Sequence, residues 1–150
     1  MTGVLTLAWF HYLAMMFVAA ALVAEHLMFT PRPELPLARK LLVVNRIHGI
    51  SVLVALITGF GRMMHGGKGA VFYMQNTAFQ LKFVLFIVLA LAWFYAAMTF
   101  FSWGQKIKAG NAPVVSEDDA KRVLMAIRLQ LLILVLLPLL ATMMARGLWS

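Results

Sequence analysis

The sequence contains no cysteine, and only 12% of its 150 residues are charged. Without cysteine the chain cannot form disulfides, cysteine-based zinc sites, iron–sulfur clusters or covalent c-type haem attachments. A metal or cofactor must then be held by histidine, methionine, lysine or carboxylate side chains. Acidic residues are scarce as well, because 5 Asp and Glu stand against 13 Lys and Arg, which gives a net charge of +8.

Apolar residues make up 63% of the sequence, and the mean hydropathy is +0.90. Soluble domains are about half apolar and about a quarter charged, so one small aqueous core cannot hide this much apolar surface. We therefore expect an integral membrane protein in contact with the lipid bilayer. The positive charge fits loops that face anionic lipid headgroups. Nucleic-acid binding is not expected, since no basic face on a soluble fold is available for it.

Four apolar stretches are each long enough for a spanning helix, which needs about 20 residues. They cover residues 7–29, 41–61, 79–101 and 123–145. The connections between them are short, which favours one all-α domain over residues 1–150, an integral membrane antiparallel four-helix bundle. Before the fourth stretch, Ser116 and the three acidic residues after it predict a helix N-cap.

Basic residues are shared unevenly between the two ends of this bundle. By the positive-inside tendency, both termini are expected on the non-cytoplasmic side of a bacterial inner (plasma) membrane. Trp9, Trp103 and Trp149 then fall near helix ends, where amphipathic rings prefer the interface. The cytoplasmic connections carry Arg32, Arg39, Lys40, Lys106, Lys108, Lys121 and Arg122, and the opposite side carries mainly Arg62, Lys68 and Arg146.

Ionisable residues within the spans form two layers, and such residues usually face a partner or a site because a charge in hydrocarbon is costly. The cytoplasmic layer contains Glu25, His26, Arg46, His48 and Arg128. Glu25 is expected to pair with Arg46 or Arg128 in a structural ion pair. His26 and His48 lie at similar depth on adjacent helices. They are expected to act either as hydrogen-bonded structural histidines or as two axial ligands of one haem iron.

The outer layer brings one histidine and three cations to one level without a carboxylate, namely His11, Arg62, Lys82 and Arg146. A dianionic porphyrin would complement this set. Its iron would bind His11, its propionates would bind the three cations, and its macrocycle would lie in the bundle. The alternative is that the cations reach out to lipid phosphates while His11 bonds a backbone carbonyl.

The 11 methionines support a copper-handling protein as another possibility, because thioethers bind copper as well as haem iron. Met15 lies one turn from His11, and Met63 and Met64 lie at the outer rim. Methionine is also common as filling in apolar packing. A cofactor-free structural or lipid-binding membrane protein is therefore a further alternative.

Small residues near the outer layer indicate close helix packing around the candidate site. Thr58, Gly59 and Gly61 are small enough for a neighbouring helix to approach closely. The glycine-rich loop that follows is predicted to cover the outer site with Lys68 and Tyr73. These features shape a cavity without naming its occupant.

Short features along the whole chain resemble a bacterial family of predicted four-helix membrane proteins of unknown function. They are the aromatic start at His11, the loop at Pro31, Thr58-Gly59, the loop Gly66-Gly67-Lys68-Gly69 with Phe72-Tyr73, Lys82, and Met144-Ala145-Arg146-Gly147.

The first three helices also resemble HemJ-type protoporphyrinogen oxidase, a haem-binding membrane enzyme. The shared features are His11 early in the first helix, Thr58-Gly59 near the end of the second, and Lys82 early in the third. The resemblance implies haem b bound through His11. The HemJ pattern has a histidine two residues before the lysine, where this chain has Gln80.

These observations together favour a membrane protein that binds haem b or a related porphyrin and is redox-active. As an enzyme it would be an oxidoreductase that oxidises a porphyrinogen or a quinol, with a porphyrin or quinone-like small molecule as its partner. The candidate cofactor ligands are His11, Arg62, Lys82 and Arg146, with His26 and His48 at a second site. Assembly into a homo-oligomer is left open by the sequence.

Overall fold

The computed structural model of the chain describes residues 2–65 and 69–146. Within these ranges it contains five helices and no strand: α1 (Thr2–Met28), α2 (Leu35–His65), α3 (Gly69–Gln75), α4 (Thr77–Lys108) and α5 (Glu117–Ala145). Four of these described helices, all except α3, are long and apolar enough to cross a membrane. The predicted all-α membrane bundle is therefore confirmed. Lys68, predicted to cover the outer site, and Trp149, predicted at the interface, lie outside the described residues.

The short helix α3 occupies a segment that the sequence predicts as a loop. Its first residue, Gly69, has a φ of +74°, a conformation that glycine adopts without strain. Asn76 separates α3 from α4 and caps α4, because its Oδ1 accepts a hydrogen bond of 2.9 Å from the Phe79 backbone N–H. The Gln80 side-chain Nε2 donates to the Met74 carbonyl at 2.8 Å. Hydrogen bonds of the Asn76 and Gln80 side chains therefore hold the corner between α3 and α4.

Buried residues on the long helices recur at intervals of three or four. This is the spacing of helices that cross at a shallow angle with interlocking side chains. α1 packs mainly against α2, and α4 packs mainly against α5. The stripe on α2 contains Ala38, Leu41, Asn45, His48, Val52 and Ala55, and the stripe on α5 contains Ala120, Val123, Ile127, Gln130, Ile133, Leu137 and Leu140.

The interfacial position predicted for Trp103 is not what the structure shows. The Trp103 side chain is only 1% exposed and belongs to the core. Its ring is stacked on Phe29, with 6.3 Å between centroids, and it meets the Phe100 ring edge-on at 5.1 Å. Trp9, by contrast, is exposed on α1. The difference arises because position 103 falls on the buried stripe of α4.

The bundle has two chemically different ends. The loop end carries the connections 29–34 and 109–116, and the basic residues predicted there are all exposed. The predicted cap of α5 is confirmed, since Ser116 Oγ accepts a hydrogen bond of 3.1 Å from the Asp119 backbone N–H. The terminal end is the opposite one, where α1 begins, α5 ends and α3 lies. The side of the membrane that each end faces stays a prediction.

Candidate functional site

A half-open cavity of about 470 Å³ lies near the terminal end of the bundle. This volume is within the range of small-molecule sites, about 300–1,000 Å³. The lining comes from α1 and α2 on one side and from the α3–α4 corner on another, with Leu137 of α5. Among the described lining residues there is no carboxylate. Most of the wall is apolar, and its aromatic members are Phe60, Phe79, Phe83 and Phe86.

His11 is held against α2 by one ring nitrogen. Its Nδ1 lies 3.0 Å from the Ala55 carbonyl oxygen and 3.1 Å from Thr58 Oγ1. The carbonyl can only accept, so Nδ1 carries a hydrogen. The Thr58 hydroxyl donates to the Val54 carbonyl at 2.6 Å, which leaves its oxygen able to accept from His11. In the neutral ring Nε2 then keeps a free lone pair, which is the arrangement found in metal-binding histidines.

The structure brings two of the four predicted outer-layer residues into this cavity. Both His11 and Lys82 line it. Arg62 lies beside it, with its guanidinium carbon 5.0 Å from the centre of the Tyr12 ring and its Nη2 donating to the Tyr12 hydroxyl at 3.4 Å. Arg146 is exposed at the C-cap of α5 and is not among the described lining residues.

Methionine side chains share the cavity with His11. Met15 of α1, Met63 of α2 and Met74 of α3 all line it. Met15 and Met63 are predicted near the site from the sequence, whereas Met74 is not. Tyr73, predicted to cover the site, packs on Phe79, with 5.5 Å between the ring centroids. The cavity therefore combines an imidazole, thioethers, one lysine and aromatic rings.

A second polar cluster lies deeper in the bundle and consists of Glu25, Asn45 and His48. Each residue of this Glu25 cluster is at most 1% exposed. Glu25 Oε1 accepts from Asn45 Nδ2 at 3.0 Å, and Glu25 Oε2 accepts from His48 Nδ1 at 3.1 Å. The predicted pairing of Glu25 with Arg46 or Arg128 is therefore wrong.

The helix period explains why neither arginine pairs with Glu25. Arg46 follows Asn45, which faces α1, and one residue rotates a side chain by about 100° around the helix. Arg46 is therefore exposed on α2. Arg128 is likewise exposed, next to the buried Ile127 of α5.

The far side of His48 is packed against α4. The centroids of the His48 and Trp93 rings are 6.2 Å apart, in an edge-to-face arrangement. His48 Nε2 and His26 Nδ1 are buried, and neither has a hydrogen-bond partner among the described residues. A haem between these two histidines stays a prediction. What the structure shows for His48 is its hydrogen bond to Glu25.

The chain matches one protein family over nearly its whole length. Residues 4–148 match the family described as predicted membrane protein (DUF2214). The chain belongs to this family. The predicted resemblance to a family of four-helix membrane proteins is thereby confirmed, and the protein is a multi-pass membrane protein. No curated protein and no solved structure matches the chain, so the resemblance to HemJ-type oxidases is not shown.

In this DUF2214 chain, the His11 ring packs closely over Gly59. A Cβ at position 59 would lie 3.3 Å from His11 Cε1 and 3.6 Å from Nδ1. We expect Gly59→Ala to displace the imidazole and weaken its bond to the Ala55 carbonyl. Nitrogen NMR of labelled histidine should show a changed His11 signal.

Gly61→Ala is the matched control for Gly59→Ala. A Cβ there would meet the flexible end of Leu7 at 3.1 Å and would leave His11 untouched. If both variants keep the wild-type His11 signal, Gly59 does not hold the ring in place.

Proposed function

We propose that this membrane protein binds haem b or a related porphyrin in the cavity at its terminal end, with His11 Nε2 as an axial ligand and Lys82 as a partner of a propionate. The observation that carries the proposal is the shared cavity of His11 and Lys82. Bound haem would supply redox chemistry, while the protein supplies binding, orientation and charge.

The protonation of His11 favours an iron ligand over a quinone. Nδ1 donates its hydrogen to α2, so Nε2 of the neutral ring offers a lone pair and no hydrogen. A quinone carbonyl is an acceptor and needs a donor at this position. A porphyrin iron accepts a lone pair, and the bond from Nδ1 to a carbonyl is the outer support that metal-binding histidines commonly have.

The charges around the cavity favour an anionic guest. Lys82 lines the wall, Arg62 is held close by through Tyr12, and no carboxylate is among the described lining residues. A cation within a membrane span usually faces a partner, and Lys82 is half-buried. Porphyrin propionates would provide that partner, and the aromatic wall would cover the flat macrocycle.

Copper(I) binding is the second candidate, and one observation favours it. The thioethers of Met15, Met63 and Met74 line the same cavity as His11, and thioether and imidazole ligands suit this ion. Lys82 argues against it, because a metal cation without anionic ligands would be repelled by the ammonium group. Haem avoids this conflict through its propionates.

The experiment is an absorption spectrum of the full chain, expressed with added haem precursor and purified in mild detergent. We expect a Soret band. His11→Ala should reduce bound haem at least tenfold because it removes the iron ligand. Lys82→Met should weaken binding about tenfold, the cost of about 1.4 kcal/mol for a lost charged contact, and Lys82→Arg should recover most of it.

His65→Ala is the control for these variants. His65 is exposed at the same end of the bundle and its Nδ1 bonds the Gly61 carbonyl, so its loss should leave the Soret band unchanged. Elemental analysis of the same samples tests copper. A colourless protein would overturn the haem proposal, with bound copper favouring the second candidate and bound lipid favouring a cofactor-free role.

A further inference from the structure

The cavity reaches the outer surface of the bundle between α2 and α4. Exposed apolar side chains on α2 recur every three or four residues and so share one outward face: Leu53, Ile57, Phe60 and Met64. The same spacing gives α4 an outward face with Val84, Ile87, Leu91 and Phe94. Phe60 and Val84 belong to these outward faces and also line the cavity. Side chains that face the hydrocarbon of the bilayer therefore border the cavity.

Two phenylalanine rings meet across this seam between α2 and α4. The Phe60 ring of α2 contacts the Phe83 ring of α4 edge-on, with 6.1 Å between their centroids, and both residues line the cavity. Phe83 is also stacked on Phe79 at 6.4 Å, whereas Phe60 has no second ring contact among the described residues. The Phe60 side chain is 47% exposed. It is therefore the ring that can turn away without breaking another aromatic contact.

We infer that the cavity exchanges its guest directly with the hydrocarbon of the bilayer, through the seam between α2 and α4, with the Phe60–Phe83 contact as the gate. This inference builds on the proposed function, because it states how that site receives its guest. The class of guest follows from the route and from the wall. It must dissolve in the membrane, and it must carry an acidic group that suits Lys82.

The packing of the bundle agrees with an opening at this seam. α2 packs mainly against α1, and α4 packs mainly against α5, so the seam separates two helix pairs. Lipid tails are as apolar as the side chains, so a phenylalanine ring that turns outward exposes nothing that the bilayer disfavours. Opening the seam at Phe60 thus breaks one ring contact and leaves both helix pairs intact.

The first test asks which solvent reaches the cavity, and it needs no haem. Because the chain has no cysteine, Leu56→Cys gives a single thiol in the cavity wall for a nitroxide spin label. In phosphatidylcholine vesicles we expect oxygen, which concentrates in hydrocarbon, to relax this label more than a water-soluble nickel chelate does. A label at Leu53→Cys is the lipid reference, since Leu53 is 55% exposed on α2. Stronger relaxation of the cavity label by the chelate would overturn the inference.

The second test changes the gate in the haem-free full chain, placed in vesicles whose bilayer contains haem. Phe60→Ala should make the Soret band appear about twofold to tenfold faster, because opening no longer separates two packed rings. Phe101→Ala should keep the wild-type rate. Phe101 is a matched control because it is 54% exposed on α4 and is not among the described lining residues.

The two tests separate failure of this inference from failure of the proposed function. Equal loading rates in the wild type and Phe60→Ala would show that Phe60 is not the gate, while haem binding stands. A wild-type protein that never acquires a Soret band overturns the proposed function. The spin label at position 56 then still decides whether the cavity opens to the bilayer or to water.

Discussion

Replacement of Glu25 by leucine is expected to destabilise the folded protein by about 3–5 kcal/mol, the usual cost of breaking a buried polar pair from one side. The carboxylate accepts hydrogen bonds from both Asn45 and His48, and all three side chains are buried. Leucine would leave both donors without a partner in an apolar interior. The free energy of unfolding, measured by denaturant titration in mixed micelles, checks this value.

Glu25→Gln separates hydrogen bonding from packing. The amide oxygen can still accept from Asn45, and the amide N–H can donate to His48 in its other tautomer. We therefore expect Glu25→Gln to lose much less stability than Glu25→Leu. Glu34→Gln, at an exposed position of the first connection, should have no effect beyond about 0.5 kcal/mol. Wild-type stability in Glu25→Leu would show that the Glu25 cluster does not hold the bundle together.

Hydropathy alone predicts the spans but not which residue meets which. Glu25, Arg46 and Arg128 lie at similar depths, so opposite charges make them an obvious pair. The periodicity of the sequence separates the true partners from Arg46. Asn45 and His48 continue the buried stripe of α2, whereas Arg46 does not. The heptad pattern of α2 is enough to place the polar partners of Glu25 in the interface between α1 and α2.

Part of the cavity lining could also be predicted from positions along the helices. Depth counted in helical turns brings His11 and Lys82 to one level, and the structure places both in one cavity. Met74 could not be found in this way, because its position depends on α3. That helix begins at Gly69, which has a positive φ, and ends at a corner held by the side chains of Asn76 and Gln80. Neither feature produces a hydrophobic period in the sequence.

Replacement of Gly49 by alanine is expected to destabilise the protein by about 1–3 kcal/mol through overpacking. A Cβ at this position would overlap Trp93 Cζ2 and lie 2.9 Å from Cη2, closer than atoms can approach. The indole ring is rigid and also packs against His48, so α4 must move away from α2 for the new methyl group to fit. The free energy of unfolding in mixed micelles is again the measurement.

Gly104→Ala is the control for Gly49→Ala within the same bundle. A Cβ at Gly104 would have no atom within 4 Å, so alanine should be neutral there or stabilise α4 by up to about 1 kcal/mol through its higher helix propensity. Adding Trp93→Leu to Gly49→Ala should cost less than Trp93→Leu costs alone, because the smaller side chain leaves space that the methyl group fills. Additive losses in the double variant would mean that Gly49 and Trp93 do not share this contact.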